Sequence, residues 1–200
     1  MKQLLKQTAL VAGMLAAAKA QIVAGPDPVA LPKARKNAVE QEGARNAQRR
    51  DGVAMSRFLC WLDAHALKNG LTELDVAANL LAFREATGEL KDLSFETIPA
   101  SGPHAASPHY HARPESNRKL VRDEILLVDS GAQYVDGTTD ITRTVILGRP
   151  SPEMRDHFTR VLKGMIGLTR IRFPRGTCGS QLDVLARQSL WMAGLDFDHG

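Results

Sequence analysis

One run of the sequence, LLVDSGAQYVDGTTDITRTVIL, constrains the fold of this 200-residue chain more than any other. Residues 124–129 and 141–147 are rich in β-branched and aliphatic side chains, which favour strands. Between them, Gly131 and Gly137 are predicted to be turn points. The run therefore predicts two neighbouring strands around which the rest of the chain must pack.

Helical patterns account for most of the remaining chain. Apolar side chains recur at three- and four-residue steps, and Thr72 with Asp75 forms a capping-box-like start. The predicted helices cover residues 33–69, 72–87, 151–173 and 180 to about 193. A short strand is predicted over 93–98, and residues 100–114 read as a loop with three prolines and three histidines. Helices, then a hairpin, then further helices indicate an α+β fold.

Two carboxylates stand where the predicted strands meet the turn. Asp129 closes the first strand and Asp140 opens the second. If the strands pair antiparallel, the two residues can lie opposite each other with their Cβ atoms about 5 Å apart. Such carboxylates repel unless a cation lies between them, and a hard divalent ion prefers oxygen ligands. The alternative is that both cap backbone N–H groups at strand ends. For Asp136 we expect only a turn role.

Histidines and cysteines are the other reactive side chains. His109 lies in the loop before the hairpin, and His199 is the penultimate residue. A lone loop histidine is more often solvent-exposed than functional, and His104 is expected to face solvent. Cys178 carries no signature of a catalytic thiol and is interpreted as structural, and Cys60 lies within a predicted apolar helix.

Charge and composition exclude several function classes. Residues 1–50 hold nine Lys and Arg against three Asp and Glu. The ten aromatic residues of the chain do not interleave with these basic residues, so we expect no nucleic-acid partner. An apolar run over residues 8–18 is too short to span a bilayer, so no membrane partner is expected either.

The N-terminus allows two interpretations. Residues 1–20 imitate a signal peptide, with early lysines, an apolar run and an Ala-Lys-Ala end. Alternatively, residues 2 to about 19 form a helix that precedes a short strand and a proline-rich linker. We favour the second, which makes residues 1–28 the remnant of a preceding domain and residues 29–200 the main domain, in a cytoplasmic protein.

The run DSGAQY…DGTTDITRT resembles the first metal-binding segment of the Xaa-Pro aminopeptidases, which are pita-bread metallopeptidases. Three further stretches support the resemblance, one of which, DLSFETIPASGPHAASPHYHARPESNRKL, resembles the strand and loop that follow the opening helix of the family. The segment LPKARKNAVEQEGARNAQRRDGVAMSRFLCWLD resembles the opening helix of that family, and residues 153–200 resemble the helices and strand before an HGxGHG-type motif. The resemblance covers roughly residues 22–200. It implies the N-terminal part of a pita-bread fold, with helices packed on a curved, largely antiparallel sheet.

The resemblance also implies roles for four residues. Asp129 would ligate one metal ion and Asp140 would bridge two, usually Mn²⁺. His109 would lie near the substrate and the developing tetrahedral centre, and His199 would contact substrate. In this family a metal-activated water cleaves the N-terminal residue from peptides with proline in second position, and we expect a homo-oligomer for the complete enzyme.

The chain departs from the family pattern in its ligand set. The family uses two Asp, one His and two Glu, and the last three would follow Gly200. We therefore expect a truncated chain that is inactive on its own. Two alternatives stay open: a sibling enzyme such as prolidase or creatinase, and a non-catalytic pita-bread module that binds peptides or proteins.

Overall fold

The computed structural model describes residues 2–21, 25, 27–68 and 70–198. The chain forms two compact units, residues 1–41 and 42–200. In the first unit, α1 covers Lys2–Ala17 and α2 covers Ala30–Ala34. The Ala- and Leu-rich composition of α1 explains its helicity. The helix predicted over residues 2 to about 19 is thus present, while the assignment of residues 1–28 to a preceding domain stays a prediction. The strand predicted after it falls on residues 22–24, which lie outside the described residues.

Helix α3 covers Ala38–His65, so the single helix predicted over 33–69 is wrong at its start. The reason is a reciprocal cap at Asn37. Asn37 Oδ1 accepts a hydrogen bond from the Glu40 amide at 2.9 Å, and the Asn37 amide donates to Glu40 Oε2 at 2.7 Å. Such a capping box satisfies free N–H groups at a helix start and begins a new helix there.

Helix α4 covers Glu73–Glu85 and begins at the predicted capping box. Thr72 donates its hydroxyl and its amide to Asp75, which holds the pKa of that carboxyl below its ordinary value. Gly88 follows the helix with φ of 73°, a left-handed conformation that glycine adopts without strain. Sequence and structure therefore agree on both ends of α4 to within two residues.

Three antiparallel strands form one sheet in the order β1-β2-β3. Strand β1 covers Asp92–Ser101, β2 covers Ile125–Gln133 and β3 covers Ile141–Ile146. The prediction that Gly131 is a turn point is wrong, since it lies inside β2. A Cβ there would overlap Ser94 Oγ and the Thr139 carbonyl oxygen, and would lie 2.8 Å from a Phe95 ring carbon. Glycine at 131 therefore permits close strand packing rather than a turn.

The hydrophobic core lies between one face of this sheet and helices α3 and α4. Alternate residues of β2 point to opposite faces. Leu126 and Val128 are fully buried against the helices, whereas Leu127 and Asp129 are partly exposed on the opposite face. The core contains Met55, Phe58, Leu62, Ala66, Val76, Leu80, Leu120, Leu126, Val128 and Leu147. The sheet is thus covered on one side and more open on the side that carries Asp129.

Three further elements complete the described chain: one short helix between β1 and β2, and two helices after β3. A 3₁₀ helix covers Gly102–Ala106 within the predicted loop. Helix α5 covers Pro152–Arg170, α6 covers Gly179–Trp191, and the two pack on each other. The architecture is therefore α+β, as predicted. Among the described residues, no helix combines the length and the apolarity that a bilayer crossing requires.

Candidate metal centre

Asp129 and Asp140 lie on the same face of the hairpin but not opposite each other. The β2–β3 ladder pairs Asp129 with Thr142 and Ser130 with Ile141. The same register continues to Gln133 and Thr138, which places Asp140 across from Gly131. The prediction of direct opposition is therefore wrong by two residues. Diagonal neighbours on one face have Cβ atoms about 7–8 Å apart at most, which one metal ion or a bridged pair can span.

The two carboxylates differ in their surroundings. Asp129 is partly buried, and Oδ1 accepts a hydrogen bond from the Thr142 hydroxyl at 2.7 Å. Asp140 immediately precedes β3 and is exposed. Carboxylate oxygens suit hard cations such as Mg²⁺ and Mn²⁺. Within the described residues, however, no group of three or more His, Cys, Asp or Glu could hold a metal ion. The pair fits a metal site in chemistry but not in the number of ligands.

The two predicted substrate histidines lie elsewhere in the chain. His109 is exposed in the loop between the 3₁₀ helix and β2. Its φ of 56° is left-handed, a conformation that is uncommon for a residue with a side chain and often marks functional loops. His199 lies outside the described residues. The structure therefore brings together the two aspartates of the predicted site, while the roles of both histidines stay predictions.

The loop that carries His109 is anchored by Glu73, a residue that the sequence did not single out. The buried Glu73 carboxylate accepts hydrogen bonds from the Ser101 amide at 2.7 Å and from Tyr110 Oη at 2.9 Å. His104 Nδ1 lies 2.9 Å from Glu73 Oε1, and the Arg118 amide donates to Oε2 at 3.3 Å. These partners lie on both sides of His109, so one carboxylate fixes both ends of its loop.

His104 was predicted to face solvent. The structure shows instead that it belongs to the cluster around Glu73. Its ring stacks on Tyr110 with centroids 4.3 Å apart, and its side chain is 29% exposed. Burial raises the pKa of Tyr110, whose hydroxyl is hydrogen-bonded to Glu73 and Ser116. From sequence, Glu73 reads only as an ordinary acidic residue of a first helical turn, so no sequence signal could have found this cluster.

A second buried network lies on the helix side of the sheet. Arg84 on α4 and Asp51 on α3 form an ion pair, with Nε to Oδ1 at 2.7 Å and Nη2 to Oδ2 at 3.0 Å. Both side chains are fully buried. Burial raises the pKa of Tyr134, which donates to Asp51, to about 12, and the negative charge of Asp51 adds to this shift. No local sequence signal marks this network, because its members are far apart in the chain.

The tip of the hairpin packs on α3. The Arg50 guanidinium donates to Asp136 at 2.9 and 3.2 Å and lies 4.8 Å from the centre of the Tyr134 ring. This contact holds the pKa of Asp136 below its ordinary value. A Cβ on Gly43 would overlap the Asp136 carbonyl oxygen. Asp136 is therefore a turn residue, as predicted, and in addition ties the hairpin to α3.

Comparison with known proteins identifies the family of the chain. Residues 42–200 match metallopeptidase family M24. Aminopeptidase P2 of Arabidopsis thaliana is 48% identical over 174 residues, which are 86% of this chain and 24% of the plant protein. The chain thus spans about a quarter of the length of that relative.

Two solved structures are also similar. The X-prolyl aminopeptidase of Caenorhabditis elegans, a cytosolic enzyme with a di-nuclear active site, superposes with a TM-score of 0.82 at 47% identity. The match covers 87% of this chain and 29% of the nematode protein. The prolidase of Pyrococcus furiosus superposes with a TM-score of 0.67 at 26% identity, over 80% of this chain and 44% of the archaeal protein.

Proposed function

The chain belongs to metallopeptidase family M24, and we propose that it supplies the first two metal-binding carboxylates of an Xaa-Pro aminopeptidase. The observation that carries the proposal is the placement of Asp129 and Asp140 on one open face of the β2–β3 hairpin. Greater similarity to the nematode X-prolyl aminopeptidase than to the archaeal prolidase supports this substrate class.

In this proposal Asp129 and Asp140 would both help to hold two divalent ions in the complete enzyme, with Mn²⁺ as the proposed metal. Such ions, when bound, lower the pKa of a coordinated water and supply a nucleophile at neutral pH. The chain's own contribution is to orient the ligands. The Thr142 hydroxyl donates to Oδ1 of Asp129 and so orients that carboxylate. The other ligands must come from residues beyond those that the structure describes.

His109 and His199 are proposed to act on the substrate side, steadying the peptide and the tetrahedral oxyanion. The proposed substrates are peptides with proline in second position. Their scissile bond is a tertiary amide without an N–H, so the site must recognise the ring rather than an amide donor. We further propose a cytoplasmic location and a homo-oligomeric assembly for the complete enzyme.

For the 200-residue chain by itself we propose no useful catalysis, because two carboxylates cannot hold two metal ions tightly. Two assays test this. The purified chain is incubated with Ala-Pro-Pro and Mn²⁺, and release of alanine is measured. In parallel, residues 42–200 replace the matching segment of the C. elegans enzyme. We expect hydrolysis from the chimera and none from the isolated chain.

The chimera also tests the ligand assignment. Asp129→Asn and Asp140→Asn should each abolish hydrolysis, whereas Asp136→Asn, a control on the same hairpin, should leave most of it. Robust hydrolysis by the isolated chain, or by the Asp140→Asn chimera, contradicts the proposal. Cleavage of Xaa-Pro dipeptides but not Ala-Pro-Pro would indicate a prolidase. A chimera that binds the peptide without cleaving it would indicate a non-catalytic module.

A further inference from the structure

We infer that the buried Asp51–Arg84 ion pair is a positioning device that sets the separation of the two candidate metal ligands, Asp129 and Asp140. The inference rests on the proposed function for the identity of the ligands. Its geometric part, that the pair clamps the two strands of the hairpin, stands on the described contacts alone. Both residues act through their neighbours and are therefore positioning residues.

Arg84 holds the residues next to Asp129. Its Nη2 donates to Ser130 Oγ at 3.1 Å, and its Nη1 donates to the Gly131 carbonyl oxygen at 3.3 Å. Ser130 follows Asp129 directly and points to the helix side of the sheet, where it is fully buried. The guanidinium therefore holds β2 next to Asp129, whose side chain projects from the opposite face of the sheet.

Asp51 holds the residue next to Asp140. The Thr139 hydroxyl donates to Asp51 Oδ2 at 2.6 Å, and Thr139 is buried on the same helix-facing side as Ser130. Asp140 follows directly and faces the other way. Since Arg84 and Asp51 are themselves joined by two hydrogen bonds, one rigid unit connects the backbone beside Asp129 with the backbone beside Asp140.

Stability alone does not account for such a pair. Buried ion pairs lose so much hydration that well-packed apolar residues of similar size are often as stabilising. Here Arg84 and Asp51 bond each other and also bond the residues around them. Arg84 donates to Ser130 and Gly131, and Asp51 accepts from Tyr134 and Thr139. Compared with apolar packing, the pair adds directional hydrogen bonds, and each of these bonds fixes a residue of the hairpin relative to α3 and α4.

Adjacent threonines allow a matched test on the 200-residue chain. Thr139→Val removes the hydroxyl that bonds Asp51 and keeps the side-chain shape. Thr138→Val removes a hydroxyl that bonds only Gln133, at 2.6 Å, and serves as the control. Mn²⁺ is titrated into each protein, and paramagnetic broadening of the Asp129 and Asp140 amide resonances is followed by NMR.

In the wild type and in Thr138→Val, we expect both amides to broaden together over the same Mn²⁺ range. In Thr139→Val, the apparent affinity should fall about tenfold, the scale found when partners behind metal ligands are removed. The two amides should then also respond unequally. Equal behaviour of the two valine variants overturns the inference.

A metal-free measurement separates this inference from the proposed function. Amide hydrogen exchange is compared in the wild type, Asp51→Asn and Leu80→Ala, a core variant on α4. In Asp51→Asn, the amides of Ala132 and Thr139, which bond across the hairpin, should exchange faster while the β1–β2 ladder stays protected. In Leu80→Ala, protection should fall throughout the domain.

The outcomes are distinguishable. A wild type that shows no Mn²⁺ broadening, together with an Asp129→Asn chimera that retains hydrolysis, contradicts the proposed ligands, while hydrogen exchange still decides the positioning role. Uniform loss of protection in Asp51→Asn, as in Leu80→Ala, shows a purely structural pair and overturns the inference. If Asp51→Asn does not fold, Ser130→Ala replaces it, because that change removes one of the two contacts through which Arg84 holds β2 and leaves the ion pair itself in place.

Discussion

Thr142 lies directly across the β2–β3 ladder from Asp129 and donates its hydroxyl to Asp129 Oδ1 at 2.7 Å. Thr142 thus occupies the position opposite Asp129 that the sequence predicted for Asp140. The Thr142 hydroxyl fixes one oxygen of the Asp129 carboxylate. The second carboxylate, Asp140, lies two residues further along, across from Gly131. A charge-assisted hydrogen bond thus replaces a direct repulsion between two carboxylates.

Loss of the Thr142 hydroxyl should weaken metal binding without unfolding the protein. We expect Thr142→Val to lower the apparent affinity for Mn²⁺ by about tenfold, because the carboxylate is no longer oriented. Thr142 is exposed, so the free energy of unfolding should change by less than about 1 kcal/mol. Thr144→Val, two residues along the same face of β3, is the control, and a similar loss of affinity there would contradict the prediction.

Removal of the Glu73 carboxylate should release the loop that carries His109. Glu73→Ala leaves several donors without their acceptor, so we expect a loss of about 3 kcal/mol or more in the free energy of unfolding. Urea unfolding measures this loss, and amide exchange at Ser101 and Arg118 should accelerate most. Glu85→Ala, at the exposed other end of α4, should cost far less. Equal costs for the two variants would show that the cluster does not anchor the loop.

Tyr134 should ionise only at strongly alkaline pH. Its pKa in the folded protein, about 12, lies above the ordinary 10.0 because burial favours the neutral phenol. The folded-state pKa is the higher one, so the stabilisation is complete below pH 10.0 and is lost as pH rises towards about 12.

The chain has two tyrosines, so Tyr110→Phe isolates this titration. Phenolate absorbance at 295 nm should then appear near pH 12 in the folded protein and near pH 10.0 in urea. Ionisation at the ordinary pH in the folded state would show that the Asp51 network does not bury Tyr134. In Tyr134→Phe, the loss of stability between these pH values should be smaller.

Two glycines should respond to alanine in opposite directions. At Gly131 a Cβ would overlap Ser94 and Thr139, so Gly131→Ala should destabilise the protein by about 1–3 kcal/mol or more. At Gly52, inside α3, a Cβ would meet no atom within 4 Å. Gly52→Ala should therefore stabilise by about 0.5–1 kcal/mol through helix propensity. Thermal melts of both variants test the pair, and a neutral Gly131→Ala would contradict the strand packing described above.

Local chemistry in the sequence determined much of the fold and of the site. The Thr72–Asp75 box, the apolar helix periodicity and the β-branched segments each act within a few residues, so they predicted α4, the hairpin and the α+β class. The residue types and motif of the DSG run likewise identified Asp129 and Asp140 as candidates. What these features lack is information about partners at long range.

Tertiary structure decided the register and the supports. The hairpin register pairs Tyr134 with Gly137 through a backbone bond of 2.9 Å, which leaves Val135 and Asp136 as the loop and moves Asp140 away from Asp129. Asp51 reaches Thr139 across 88 positions and Arg84 across 33. The role of a buried acid or base cannot be predicted from its own position in the sequence, because it depends on a partner that only folding brings into contact. Without that partner, burial of the charge would strongly destabilise the folded state.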